Sequence, residues 1–234
     1  MCWSSNTTRA LYDNTAPAKL NIVLHSTGRR ADGYHLLQSA FMLIDWFDTL
    51  HFELRTDGAL TREDLTVALP ADDLCLRAAR ALQAATGTQL GAHIGIAKNV
   101  PSQAGMGGGS SDAASCLLAL NRLWNTRVPL EKLAEIGLRL GADVPFFLRG
   151  HNAWVEGIGE NITPLTGDTQ LAAADFLVVK PPAGLPTDAI FSAADLKRDT
   201  EAATMRGFAV NAYGFGQNDL QPAAQRLCPG VTQA

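Results

Sequence analysis

Four glycines within five residues, Gly105, Gly107, Gly108 and Gly109, lie in the segment Pro101-Ser-Gln-Ala-Gly-Met-Gly-Gly-Gly-Ser-Ser111, and they narrow what this 234-residue chain can be. Without Cβ atoms the backbone there can turn its N–H groups inward as an anion-binding concavity. Before it, His93 to Ala97 alternates, with Ile94 and Ile96 on one side, as a short strand does. After it, the spacing predicts a helix from about Ser111 to Trp124, with Ala113, Ala114, Leu117, Leu118, Leu120 and Trp124 apolar. A helix N-terminus adds unpaired N–H donors and about half a positive charge. Strand, glycine loop and helix in that order predict a phosphate cradle. Two familiar cradles are excluded. A Walker A loop ends in Gly-Lys-Ser/Thr, and this loop holds no lysine. A dinucleotide fingerprint starting at Gly105 and Gly107 needs glycine where Ser110 stands, and Glu131, the acidic residue downstream, falls in an expected helix.

Elsewhere the pattern mixes strands and helices. Thr15 to Leu24 alternates, placing Ala16, Ala18, Leu20, Ile22 and Leu24 opposite Lys19, Asn21, Val23 and His25. A loop from Gly28 to Gly33 follows, then strands at Phe41 to Ile44 and Leu50 to Leu54. Asp72 is expected to cap a helix with an inner stripe of Leu74, Ala78, Ala81 and Leu82, ending near Gly87. Pro129 suits the first turn of another helix, and Gly141 its left-handed C-terminal cap. Strict strand–helix alternation is missing, so the fold class expected is mixed α/β or α+β. Composition loosens at Thr163 to Ala174, where a second, smaller domain is expected to begin.

Composition excludes several functions. A net charge of -4 gives no general pull toward nucleic acid or an anionic membrane, and no apolar run approaches the roughly 18 residues of a membrane span. Met1 to Asn14 lacks the basic-then-apolar order of a secretory signal and has one Arg, against a transit peptide. Cys2, Cys75, Cys116 and Cys228 show no paired spacing, so free thiols in a cytoplasmic, reducing compartment are expected. His25, His51, His93 and His151 show no metal spacing, and no protein metal site is expected.

Two charged residues stand in unusual places. Lys19 shares a strand face with Asn21, two residues on. Asp143 follows the Gly141 helix stop beside the apolar run Val-Pro-Phe-Phe, and Val144 is expected to be extended because Pro145 follows. Ala16-Pro-Ala-Lys-Leu-Asn21 resembles the first motif of the GHMP kinases, the Pro101–Ser111 loop the second, and Gly141-Ala-Asp-Val-Pro-Phe146 the segment that carries the family's catalytic aspartate. The resemblance implies a two-domain α+β fold, with an N-terminal ribosomal-protein-S5-domain-2-like domain over residues 1–165 and a smaller, partial α/β C-terminal domain over 166–234. It also implies ATP as phosphoryl donor, with Mg²⁺, and a catalytic pair: Asp143 as base or orienting anion and Lys19 countering γ-phosphate charge. The nucleotide set it implies is Lys98, Pro101, Ser102, Gln103, Ala104, Gly105, Met106, Gly107, Gly108, Gly109, Ser110 and Ser111.

The acceptor is named by another stretch. Arg-x-Asp-Gly-Tyr-His, ending at His35, is similar to the cytidine-recognition segment of the diphosphocytidyl-methylerythritol kinases within the superfamily. Tyr34 can stack on a pyrimidine while His35 bonds its edge. The resemblance places Phe191 as a second aromatic for the base and Asn21 at the acceptor. It extends through Phe215-Gly-Gln-Asn-Asp-Leu220. Small-molecule partners alone are expected, with no nucleic acid, membrane or obligate protein partner. The family's third, Gly-rich motif has no counterpart after Leu220, so a C-terminally truncated chain exposing apolar surface and an unpaired edge is expected. Two alternatives stay open: another GHMP kinase of homoserine or mevalonate type, or a truncated nucleotide-binding homologue without turnover.

Overall fold

A computed structural model describes residues 8–233. Cys2 and the first half of the expected leaderless N-terminus lie outside them. Two compact units are interleaved in sequence: residues 8–18, 45–100 and 108–149 form the first, and residues 19–44, 101–107 and 150–233 the second. Two long strands, β1 (Ala10–Arg29) and β2 (His35–Arg55), run through both.

In the first unit the end of β2 pairs antiparallel with β4 (Gly91–Ala97), and β3 (Leu60–Asp64) adds parallel on its far side. Register places Leu50 opposite Ile96 and Phe52 opposite Ile94. All four are fully buried, so one sheet face is apolar as period-two alternation demands. Four helices cover it: α1 (Leu74–Thr86), α2 (Gly108–Leu123), α3 (Leu130–Leu140) and α4 (Val144–Arg149). Leu82, Leu117, Leu120, Leu133, Ile136 and Phe146 are their buried large side chains, each contributing roughly 1.5–3 kcal/mol by leaving water. Three expectations are corrected here. Asp73, not Asp72, caps α1, accepting from the N–H groups of Cys75 and Leu76, while Asp72 pairs with Arg80. Gly141 is extended (φ −177°), not left-handed. Val144 is the first residue of α4 and not extended, because Pro145 in a first turn needs no N–H.

In the second unit β2 begins beside β5 (Ala153–Gly157), which pairs antiparallel with β6 (Asn161–Pro164). Phe41–Ile44 and Leu50–Leu54, expected as two strands, belong to the single β2. Short helices α5 (Thr187–Phe191), α6 (Met205–Ala209), α7 (Gln221–Leu227) and α8 (Gly230–Gln233) complete it. One core gathers Val23, Ala40, Met42, Trp154, Leu165, Leu171 and Phe208; another gathers Leu24, Ile190, Leu196, Leu220 and Ala223. The Asn218-Asp219-Leu220 element is tied to β1. Leu24 bridges Asn218, and Asp219 Oδ2 accepts from the Ser26 N–H at 2.8 Å and the Thr200 hydroxyl at 2.6 Å. Between the Gly167–Thr169 turn and α5 the backbone has no regular structure, and it leaves Leu177 92% and Val179 56% exposed.

Candidate active site

The glycine loop leaves the end of β4 and returns as α2. That helix begins at Gly108, three residues before the expected start, so the first four N–H groups belong to Gly108, Gly109, Ser110 and Ser111. The glycines therefore have different tasks. Gly105 and Gly107 adopt φ of 70° and 72°, which side chains rarely tolerate. Gly108 is set by close approach: a Cβ would stand 3.2 Å from Val100 Cγ1 and 3.4 Å from both Asp48 Oδ2 and Lys98 Nζ. Among the loop's other residues, Pro101, Ser102 and Ala104 make the turn, and Gln103 (φ 53°) lies against the backbone at Gly184. Met106 is buried, and its carbonyl accepts from the Lys19 N–H at 3.0 Å. Ser111 is wholly buried, and its Oγ has no hydrogen-bond partner.

Lys98 is not a solvated surface lysine. Its ammonium, 8% exposed, meets Asp48 and lies 2.5 Å from Asp112 Oδ2. Burial lowers the lysine's proton affinity, but Asp112 and Asp48 more than offset this and hold it above the ordinary value. Burial pushes the Asp112 carboxyl up to about 7, with the Asp48 charge adding to the rise and Lys98 opposing it. The second oxygen of Asp112 is buried without a partner. Asp143 is half-buried in the turn between α3 and α4, and its carbonyl accepts from the Phe147 N–H at 3.3 Å. A Cβ on Gly141 would come within 3.4 Å of Ser110 Oγ, so the turn carrying Asp143 lies against the first turn of α2.

The second unit holds Lys19 and the aromatic residues. Lys19 is only 4% exposed; its Nζ donates to Asn21 Oδ1 at 2.8 Å and stands 4.5 Å from the centre of the Phe41 ring. The shared face of Lys19 and Asn21 follows from their two-residue spacing, whereas Phe41 gave no signal in the sequence. Asn21 also lines a cavity of about 420 Å³ with Asp175, Phe176 and Tyr213. Tyr34 is 60% exposed in a turn closed by the Gly33 N–H on the Arg30 carbonyl (3.0 Å) and the Arg30 N–H on the Tyr34 carbonyl (2.8 Å). His35 and Phe191 meet, ring centres 5.2 Å apart at 33°. Burial lowers the His35 pKa, and the guanidinium charges of Arg198 and Arg29 lower it further. His35 Nδ1 is buried with no partner. The structure thus brings together Lys19 with Asn21, and His35 with Phe191, inside one unit. Lys98 and Asp143 belong to the other. Asp48, Asp112 and Phe41 escaped sequence reasoning, because each is defined by a partner 14 to 51 residues away.

Residues 73–151 match the family model described as the GHMP kinases N terminal domain. The chain is 68% identical to the 4-diphosphocytidyl-2-C-methyl-D-erythritol kinase of Albidiferax ferrireducens over 97% of its own length and 77% of that protein's. It is 66% identical to the kinase of the same name from Polaromonas naphthalenivorans, covering 99% of this chain and 80% of that protein. A crystal structure of 4-(cytidine 5'-diphospho)-2C-methyl-D-erythritol kinase superposes with a TM-score of 0.73 at 30% identity, over 94% of this chain and 80% of that one. Homoserine kinase from Cytophaga hutchinsonii, at 15% identity and a TM-score of 0.60 over all of this chain and 79% of that one, shares the fold alone.

Proposed function

This chain belongs to the 4-diphosphocytidyl-2-C-methyl-D-erythritol kinases of the GHMP superfamily, and from that premise we propose how its residues carry out the reaction. The chain is an ATP-dependent small-molecule kinase of GHMP fold that phosphorylates the C2 hydroxyl of 4-diphosphocytidyl-2-C-methyl-D-erythritol for isoprenoid synthesis. The observation that carries this is the 68% identity to a kinase of that name across nearly the whole chain.

In our reading, the first N–H groups of α2, from Gly108 to Ser111, receive the ATP phosphates, flanked by Pro101 to Gly107 and supported by Lys98. Asp143 orients the acceptor hydroxyl and takes its proton, and Lys19 counters charge on the transferred phosphoryl group. The buried Lys19 ammonium, steered by Asn21, supports this, since a desolvated charge acts at full strength. Asn21 holds the acceptor's hydroxylated chain. Tyr34, His35 and Phe191 hold the cytosine, with the unpartnered His35 Nδ1 meeting the base edge. Mg²⁺ would arrive on the ATP phosphates and offset their charge. Among the described residues no three carboxylate, imidazole or thiol groups gather as a metal cage, and the orphaned Ser111 Oγ is the protein oxygen suited to touch the ion.

As family domains we assign residues 1–165 to the N-terminal domain and 166–234 to part of the C-terminal one. We also propose a cytoplasmic site of action with small molecules as the only partners; the three described cysteines are free thiols, which fits a reducing compartment, and no described helix is long and apolar enough to cross a membrane. The deciding experiment is ADP release by the purified chain over a panel of cytidylated methylerythritol, homoserine and mevalonate. Turnover with the cytidylated acceptor alone is expected. Turnover with homoserine or mevalonate, or with none, would overturn the reading.

A further inference from the structure

We propose that Asp48, Lys98 and Asp112 form a buried clip that fixes the two ends of the glycine loop against each other, which makes Asp48 and Asp112 positioning residues for ATP. On this account Lys98 serves the nucleotide through its two carboxylate partners and not as a ligand of the phosphates. The inference rests on the reading that the glycine loop binds ATP.

Each member belongs to a different element. Asp48, on β2, has no solvent exposure. Its Oδ1 accepts from the N–H groups of Asn99 at 2.6 Å and Val100 at 2.8 Å, the last residues before the loop. Its Oδ2 accepts from Lys98 Nζ. Lys98 in turn reaches Asp112 Oδ2 at 2.5 Å, on the first turns of α2 just after the loop. The Lys98 backbone is itself locked, its N–H donating to Thr66 Oγ1 at 2.8 Å and its carbonyl accepting from that hydroxyl at 3.1 Å. Gly108 closes over the group, with no room for a Cβ beyond 3.4 Å from Asp48 Oδ2 or Lys98 Nζ. Both ends of the loop are therefore gripped by one set of charges.

Charge and burial say what this set can do. Two carboxylates and one ammonium leave no net positive charge to attract a triphosphate. An ammonium with 8% exposure and two short ionic contacts is not available to leave for a ligand. Buried ionic groups contribute little net stability, yet removing one member leaves the others uncompensated. What such a group does well is set geometry. Here the geometry is the distance between the last residue of the strand and the first free N–H groups of α2, on which a phosphate cradle depends.

The test compares the 234-residue chain with Lys98→Gln, Asp112→Asn and the double variant. Binding of ATP is measured by calorimetry, KM for ATP and for the cytidylated acceptor by ADP release, and folding by Tm. The clip predicts that Asp112→Asn weakens ATP binding about tenfold, the order expected on losing a charge-assisted contact. Lys98→Gln should do the same, the double variant should be no worse than the weaker single, and the acceptor KM should stay within about twofold. If Lys98 were instead a phosphate ligand, Asp112→Asn would free its ammonium and tighten ATP; that result overturns the proposal. So does a lowered Tm with unchanged ATP affinity, or strictly additive losses. Should Asp112→Asn fail to fold, Lys98→Arg carries the test, since it keeps the charge but moves the nitrogens. Weaker ATP supports the clip, and unchanged ATP overturns it. Gly107→Val separates the two levels: if it leaves ATP binding intact the loop reading fails and the clip with it. If it abolishes binding while the clip variants do not weaken it, only the clip fails.

Discussion

A lysine 4% exposed pays heavily for leaving water, and Lys19 has the Phe41 ring and the Asn21 amide oxygen against that cost. Such a residue is held for its charge, which is why the catalytic prediction centres on it. Asp143→Asn keeps shape but removes basicity, so kcat should fall on the order of 10²–10⁴-fold with ATP binding retained, measured under saturating acceptor. Lys19→Ala should match it, and the double variant should be little worse, since residues acting as one unit are not additive. An Asp143→Asn enzyme with undiminished kcat would end this mechanism. His35 gives a pH prediction. Its pKa lies below the usual 6.5, chiefly from burial, so at any pH near neutrality the ring is more neutral than a free imidazole. Binding that uses the neutral ring is then lost only as pH falls below that range. KM for the cytidylated acceptor should be flat from about pH 8 down to 6.5, the ordinary imidazole value, and rise under acid. A rise centred at or above 6.5 would remove His35 from the base site. Lys19, Asn21, Asp143, Tyr34 and His35 could be proposed from the sequence because their neighbours in sequence signal them. Asp48 and Asp112 could not, because nothing beside Asp48 announces a lysine 50 residues away.

At the scale of elements, the sequence pointed to Asp72 as the cap of α1, but the helix starts one residue later than that reading needs. Asp73 takes both N–H bonds and also faces Arg62 at 2.7 Å. Asp73→Ala should cost about 1 kcal/mol or more in chemical denaturation and Asp72→Ala much less, since an exposed ion pair contributes little. Equal losses would show the cap to be misassigned. The glycine loop makes the second prediction: Gly107→Val forces a φ of 72° on a β-branched residue, so ATP affinity should drop by at least tenfold while cytidine binding holds. Calorimetry with each ligand checks it. Sequence periodicity found β1 but not its burial: Val23 and His25, set opposite Leu24 by the alternation, are buried along with it. It split β2 in two because Asp45, Trp46 and Asp48 interrupt the alternation, though Asp48 is paired by a tertiary partner and the strand continues. It missed β3, Leu-Thr-Arg-Glu-Asp, because an edge strand paired only with β4 carries charge where a central strand would not. It misread the Gly141 to Pro145 turn because proline both ends one helix and opens the next.

For the whole molecule, the glycine loop between β4 and α2 and the α+β class could be read in advance, while the interleaving of two units could not. Period and capping report on neighbours in sequence, and the second unit is assembled from three separate stretches. A chain stopped at Leu165 would lose Leu171 and Phe208 from one core and Ile190, Leu196, Leu220 and Ala223 from the other. It should be insoluble or bind hydrophobic dye, with a melt no longer cooperative; a soluble, sharply melting fragment would make residues 1–165 an autonomous domain after all.

The bond from Asp219 to the backbone of Ser26 spans 193 residues. Its meaning is one of timing. On the ribosome, β1 can pair with β2 as soon as that next strand is made, yet Ser26 in its second half meets Asp219 only 193 residues later. That closure is late, and loop-closure entropy over such a separation slows the search. Refolding from denaturant should therefore be slow and sensitive to protein concentration, with the contact between Asp219 and β1 among the late ones to form.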